Sequence, residues 1–139
     1  MENLRQMYAD YLALADKLRK EASVFAGLFG MGDDPRKHPC HEAFYQNVDK
    51  WVKDFITSQP APEQVMEAAK FMLEQPRENT GAEGYWFLFA CIGFVRSLIP
   101  LMNKEDCNTL AERMSQLYTR AEQMPVQRET LKMLLKAGK

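Results

Sequence analysis

The chain of 139 residues carries 18 basic and 19 acidic side chains, and its formal net charge of −1 argues against a nucleic-acid partner, which favours a clustered basic face. Hydrophobic residues at 46% and aromatic residues at 11% are enough for a packed core and argue against intrinsic disorder. The length predicts a single domain spanning residues 1–139.

Apolar residues recurring at spacings of three and four predict three amphipathic helices in the first part of the chain. These helices cover about residues 2–26, 39–57 and 62–74. Gly27 is expected to end the first helix and Gln75-Pro76 the third, because glycine and proline interrupt helices. The predicted inner seam of the first helix consists of Leu4, Met7, Tyr11, Leu14, Leu18, Ala22 and Phe25.

A fourth helix, at about residues 81–102, is apolar nearly all round, which is typical of a buried central helix. Its unbroken apolar run, Tyr85–Val95, is 11 residues long, whereas a membrane-spanning helix needs about 20. Arg96 and Pro100 interrupt the apolar character after that run, and Pro100 is expected to bend or end the helix. The segment therefore predicts the centre of a bundle, and no membrane partner is expected.

Two further helices complete the predicted fold. One covers about residues 104–123, is capped by Asn103, and has its seam at Cys107, Leu110, Met114, Leu117, Ala121 and Met124. A short last helix begins at Pro125, with core positions at Val126, Leu131, Leu134 and Leu135. The sequence thus predicts an all-α protein, a compact antiparallel bundle of five to six helices packed around the helix at about 81–102.

Three cysteines do not form a disulfide framework, and the N-terminal residues lack the pattern of a signal peptide. We therefore expect a reducing, cytoplasmic environment.

The sequence His38-Pro39-Cys40-His41 is the strongest indication of chemistry, because two imidazoles and a thiol lie within four residues and could bind a transition metal. The spacing matches no established zinc motif, and adjacent residues on a helix point about 100° apart. The alternative interpretation is a helix start, in which His38 caps the helix, Cys40 extends the apolar stripe through Phe44, and His41 lies four residues before Tyr45.

Three other side chains are candidates for contact with a ligand or partner. Arg96 either pairs with a carboxylate and anchors an anion, or lies on a narrow polar stripe that reaches water, and the stripe is the favoured interpretation. Trp51 and Trp86, together with Tyr85, could line an aromatic pocket between helices.

We therefore expect a protein-interaction or self-associating module without catalytic activity, acting as a homo-oligomer, such as a dimer, or with another protein. Two alternatives remain open. One is a small metal-dependent or thiol enzyme centred on His38, Cys40 and His41, with a transition metal as its only foreseeable cofactor. The other is a small-ligand sensor with the aromatic pocket.

Overall fold

The computed structural model describes residues 1–29, 39–78, 89–119 and 124–139, and their side chains except at 22–29, 77–78 and 89–90. Throughout these residues the elements are helices joined by turns, and no strand occurs among them. The all-α fold class is therefore confirmed. The helices are α1 (Glu2–Phe29), α2 (Cys40–Thr57), α3 (Pro62–Glu78), α4 (Phe94–Leu98), α5 (Lys104–Leu117) and α6 (Pro125–Ala137).

Local capping explains why the later helices begin where the sequence predicts. The side chain of Asn103 accepts a hydrogen bond of 2.7 Å from the backbone N–H of Asp106, which satisfies one free donor of the first turn of α5. At α6, the Gln127 side chain accepts a hydrogen bond of 2.6 Å from the backbone N–H of Met124, and Pro125 occupies the first helical position.

Two helices continue past their predicted ends. Helix α1 continues through Gly27 to Phe29, because a single glycine weakens a helix by only about 1 kcal/mol and does not stop it. Helix α3 continues through Pro76 to Glu78. Proline there removes one backbone donor, and the burial of Leu73 and Gln75 in the same stretch holds the last turn in place.

The predicted central helix at 81–102 is described from Phe89 onward, and residues 81–88 lie outside the described part of the chain. Its described part consists of a π-helical turn (Phe89–Gly93), helix α4, and a 3₁₀ turn (Ile99–Leu101), after which Met102 is extended. The regular α-helix therefore ends at Leu98, two residues before Pro100, and Pro100 lies in the 3₁₀ turn, so the segment is not one regular α-helix to about residue 102. This part of the chain contacts α2, α3 and α6. Its fully buried side chains are Cys91, Ile92, Val95 and Leu98.

The core face of α1 differs from the predicted seam. Leu4, Tyr8, Tyr11 and Ala15 are buried, whereas Leu14 is 41% exposed. Leu14 and Ala15 point about 100° apart on the helix, so the seam predicted through Leu14 is rotated away from the core. The exposed apolar edge that results lies beside α2.

The cores of α5 and α6 are partly as predicted. Cys107, Leu110 and Met114 are fully buried, and so is Leu134. Helix α5 ends at Leu117 instead of about residue 123, because Tyr118 turns to an extended conformation. The prediction that Leu135 belongs to the core is wrong, because this side chain is 50% exposed.

Among the described residues, nothing packs closely against Gly93. A β-carbon placed there would meet no described atom within 4 Å. In the part of the chain that the structure describes, no helix is long and apolar enough to cross a membrane.

Candidate binding groove between α1 and α2

The predicted metal cluster is divided by the start of α2. His38 lies outside the described residues, and Pro39 is the residue that precedes the helix. Cys40 is half-buried, whereas His41 is only 5% exposed, so it is His41 that extends the buried stripe through Phe44. No group of three or more histidine, cysteine or acidic residues suited to a metal occurs among the described residues. With His38 undescribed, the metal site stays a prediction.

His41 connects α2 to α1 through a buried hydrogen bond. The hydroxyl of Tyr11 and Nδ1 of His41 are 2.8 Å apart, and the two rings meet edge to face with centroids 5.7 Å apart. A buried imidazole is costly unless it is hydrogen-bonded. The bond therefore explains how a histidine occupies an apolar interface, and it fixes the position of the Tyr11 ring.

Aromatic rings form a continuous stack beneath this part of the surface. Tyr11 stacks on Phe44 with ring centroids 4.0 Å apart and planes 9° apart. Phe44 in turn meets Tyr8 edge to face at 5.0 Å, and Tyr8 meets Phe71 of α3 in the same way at 5.1 Å. Packing and the His41 bond thus hold each ring in one orientation.

A groove of about 260 Å³ lies above the stack, between α1 and α2. Its apolar rim includes Leu14 and the half-buried side chains of Met7 and Cys40. One carboxylate, Asp10, stands at the groove, and Gln6 donates a hydrogen bond of 2.7 Å to it. The lining residues are Met7, Asp10, Tyr11, Leu14, Cys40, Ala43, Phe44 and Asn47.

The two other cysteines are not activated nucleophiles. Cys91 is fully buried beside Tyr8, and burial raises the pKa of its thiol well above the usual value even though the Tyr8 hydroxyl hydrogen-bonds to it. Burial, together with the nearby Asp106 carboxylate, also raises the pKa of Cys107. Reactive cysteines have lowered pKa values, so neither thiol suits nucleophilic catalysis.

Arg96 binds the protein itself. Its Nε donates a hydrogen bond of 2.9 Å to the Thr130 hydroxyl, and a terminal nitrogen donates one of 3.0 Å to the carbonyl of Val126. The side chain is half-buried, and no ion pair joins it to any described carboxylate. Arg96 therefore joins α4 to α6, and its partners among the described residues are a hydroxyl and a backbone carbonyl.

The predicted aromatic pocket is not formed by the described residues. Trp51 is half-buried and stacks on Phe55 of its own helix, with ring centroids 4.8 Å apart. It does not line the groove between α1 and α2. Trp86 and Tyr85 lie outside the described residues.

A second groove, of about 310 Å³, runs between α3 and α5 and is polar. Arg113 and Glu74 form a hydrogen-bonded ion pair of 2.8 Å across it. Its lining residues are Lys70, Glu74, Thr109, Glu112, Arg113 and Gln116.

Sequence reasoning missed the groove between α1 and α2, although a signal for it exists. Met7 and Leu14 stand seven residues apart, on a second apolar edge of α1 beside the core face. Two adjacent apolar edges on one helix indicate that more surface is apolar than one core can bury.

No family model matches the chain, and no curated protein or solved structure matches it.

Proposed function

We propose that this protein is an interaction module that binds a partner through the groove between α1 and α2. The observation that carries the proposal is an exposed leucine beside a rigid aromatic floor. Leu14 is 41% exposed at the rim, while Tyr11 and Phe44 beneath it are buried and stacked.

A floor of this kind favours binding, because its side chains lose little freedom when a partner arrives. The Tyr11 hydroxyl is already held by His41, and the ring is already packed against Phe44. Anchor pockets in protein interfaces have this character, with well-packed aromatic side chains surrounded by apolar contacts.

The shape of the groove suits a helix better than a small molecule. Ligand pockets usually enclose about 300–1,000 Å³ and bury most of the ligand. This groove is smaller, at about 260 Å³, and extends along two helices, from Met7 to Leu14 on one and from Cys40 to Asn47 on the other. An amphipathic helix laid along such a groove inserts one or two apolar side chains.

Site-specific photo-crosslinking in the cell tests this function. A photoreactive amino acid placed at Leu14 is expected to crosslink to a defined protein, either another copy or a different chain. The matched control is Leu101, which is 37% exposed and does not line the groove.

The crosslink at position 14 should disappear when Ala43→Glu introduces a charge into the opposite wall of the groove. Equal yields at positions 14 and 101, or a yield at 14 unaffected by Ala43→Glu, would refute the groove as the binding site.

A further inference from the structure

We infer that the groove is occupied by a second copy of this chain, with the two α1 helices crossing antiparallel at Leu14. This inference rests on the proposed function and names its partner. The exposed edge of α1 provides both the apolar side chain and the charges that the groove of another copy would receive.

The edge has the spacing of a helix–helix seam. Starting at Asn3, it continues at spacings of four and three, which keeps one line of side chains facing a neighbouring helix. Met7 and Leu14 are its apolar members, and Leu14 is the more exposed of the two. The full line is Asn3, Met7, Asp10, Leu14, Lys17 and Glu21.

Charge determines the direction of the pairing. Asp10 precedes Leu14 by four residues and Lys17 follows it by three, which are axial distances of about 6 Å and about 4.5 Å. In an antiparallel crossing at Leu14, Asp10 of each copy therefore lies opposite the turn that carries Lys17 of the other. A parallel crossing would place like charges against each other, which is unfavourable.

The groups that would pair are exposed and only loosely held within one chain. The side chain of Lys17 is 72% exposed, and its nearest carboxylate oxygen, on Glu21, is 4.0 Å away. Asp10 accepts its hydrogen bond from a neutral amide, that of Gln6. Both charges can therefore turn toward a partner at little cost.

The opposite wall of the groove admits a second helix. Ala43 and Asn47 of α2 are exposed and carry no charge, so a helix approaching Leu14 meets neither bulk nor repulsion there. The interface is two-fold symmetric, because the same edge and the same groove are used by both copies.

The exposed face of α6 is less suited to self-association. Leu135 is 50% exposed there, but Arg128, Lys132 and Lys136 recur at spacings of four and are all exposed. Two copies meeting on that face would bring three cations of each helix together, and Glu129, which lies 3.7 Å from Lys132, offsets only one of them.

Sedimentation equilibrium on the full chain, from about 10 µM to about 1 mM, tests the inference. Wild-type protein is expected to form a reversible dimer, and Leu14→Glu is expected to remain monomeric. Leu101→Glu is the matched control, with a similar exposure outside the groove, and should dimerise as the wild type does. Circular dichroism and thermal melting show that each variant is folded.

A charge exchange tests the direction of the helices. Asp10→Lys should weaken dimerisation at least about tenfold, and adding Lys17→Glu to it should restore most of the loss. A wild-type monomer throughout the concentration range would overturn the inference, as would a double variant no better than Asp10→Lys alone. If the wild-type protein is a monomer but position 14 still crosslinks to a different protein, the dimer is refuted and the proposed function is supported.

Cys40 provides a measurement that needs no substitution. It lines the groove and is only half-buried, whereas Cys91 and Cys107 are fully buried. Its alkylation by iodoacetamide is expected to slow as the protein concentration rises and the groove is covered. A rate independent of concentration, in samples that sediment as dimers, would show that the dimer uses another surface.

Discussion

The two grooves differ in how their walls are stabilised. Between α1 and α2, stacked aromatic rings and one buried hydrogen bond form the floor, and apolar atoms reach the surface. Between α3 and α5, four charged side chains, one amide and one hydroxyl line the groove, and a surface ion pair joins its two walls. Both grooves are open to solvent, but the first exposes more apolar surface than the second.

The contrast explains why groove size is a poor guide to function in this protein. The polar groove is the larger, at about 310 Å³ against about 260 Å³, yet its charges are well solvated. Covering them would cost desolvation, whereas burying apolar surface gains about 25 cal/mol per Å². If the comparison is correct, substitutions at the two grooves should change the free energy of unfolding by different amounts. Those changes should also differ in how they depend on salt.

The largest difference is expected for Phe44→Ala. Phe44 is 6% exposed and lies between Tyr8 and Tyr11, so its removal leaves a cavity at the centre of the stack. We expect a loss of about 3–5 kcal/mol in the free energy of unfolding, measured by urea denaturation. Phe55→Ala is the matched control on the same helix, where the ring is only half-buried and the loss should be clearly smaller. Equal losses would contradict a packed floor beneath the groove.

A smaller difference is expected from two tyrosine hydroxyls. Tyr11→Phe removes one buried hydrogen bond to the imidazole of His41, which should cost about 1–3 kcal/mol in the free energy of unfolding. Tyr118→Phe removes a buried hydrogen bond of 2.8 Å to the carbonyl of Leu73 in α3. Its cost should be about 0.5–1.5 kcal/mol. The measurement is again urea denaturation, and a neutral Tyr11→Phe would mean that His41 does not need this bond.

The sequence predicted the helices well where a local signal marks them. Asn103 and Pro125 begin their helices as expected, because capping and the fixed backbone of proline act within one turn. The regular seam of α5 also predicted its buried residues, because Cys107, Leu110 and Met114 lie on one narrow stripe.

The face of α1 could not be predicted in the same way. Two seams share Leu4 and Tyr11, one continuing through Leu14 and the other through Tyr8 and Ala15. Hydrophobicity favours the first, because leucine is more apolar than tyrosine or alanine. The second is buried because Tyr8 packs on Phe44 and Phe71, residues distant in the sequence.

The burial of His41 depends on an equally distant contact. Its partner Tyr11 lies 30 residues away on another helix, and spacing along α2 alone favours Cys40 as the inward-facing residue. The groove results from both of these long-range contacts. The sequence therefore predicted the helices on either side of it, but not the groove itself.

The smallest effect is expected at the ion pair of the polar groove. Arg113 and Glu74 are 44% and 28% exposed, and water competes with their 2.8 Å contact. A double-mutant cycle with Arg113→Ala and Glu74→Ala should give a coupling energy of about 0.2–1 kcal/mol. The coupling should shrink as salt is raised from about 0.05 M to about 1 M, because the Debye length falls to about 3 Å.

The cost of Tyr11→Phe should depend less on salt, because the hydrogen bond between Tyr11 and His41 is buried and salt does not reach it. Measuring Tyr11→Phe and the Arg113–Glu74 cycle in the same salt series separates the two kinds of groove directly. A coupling at Arg113–Glu74 above about 2 kcal/mol and insensitive to salt would show that the polar groove is as well packed as the apolar one. The contrast between their walls would then no longer single out the groove between α1 and α2 as the binding surface.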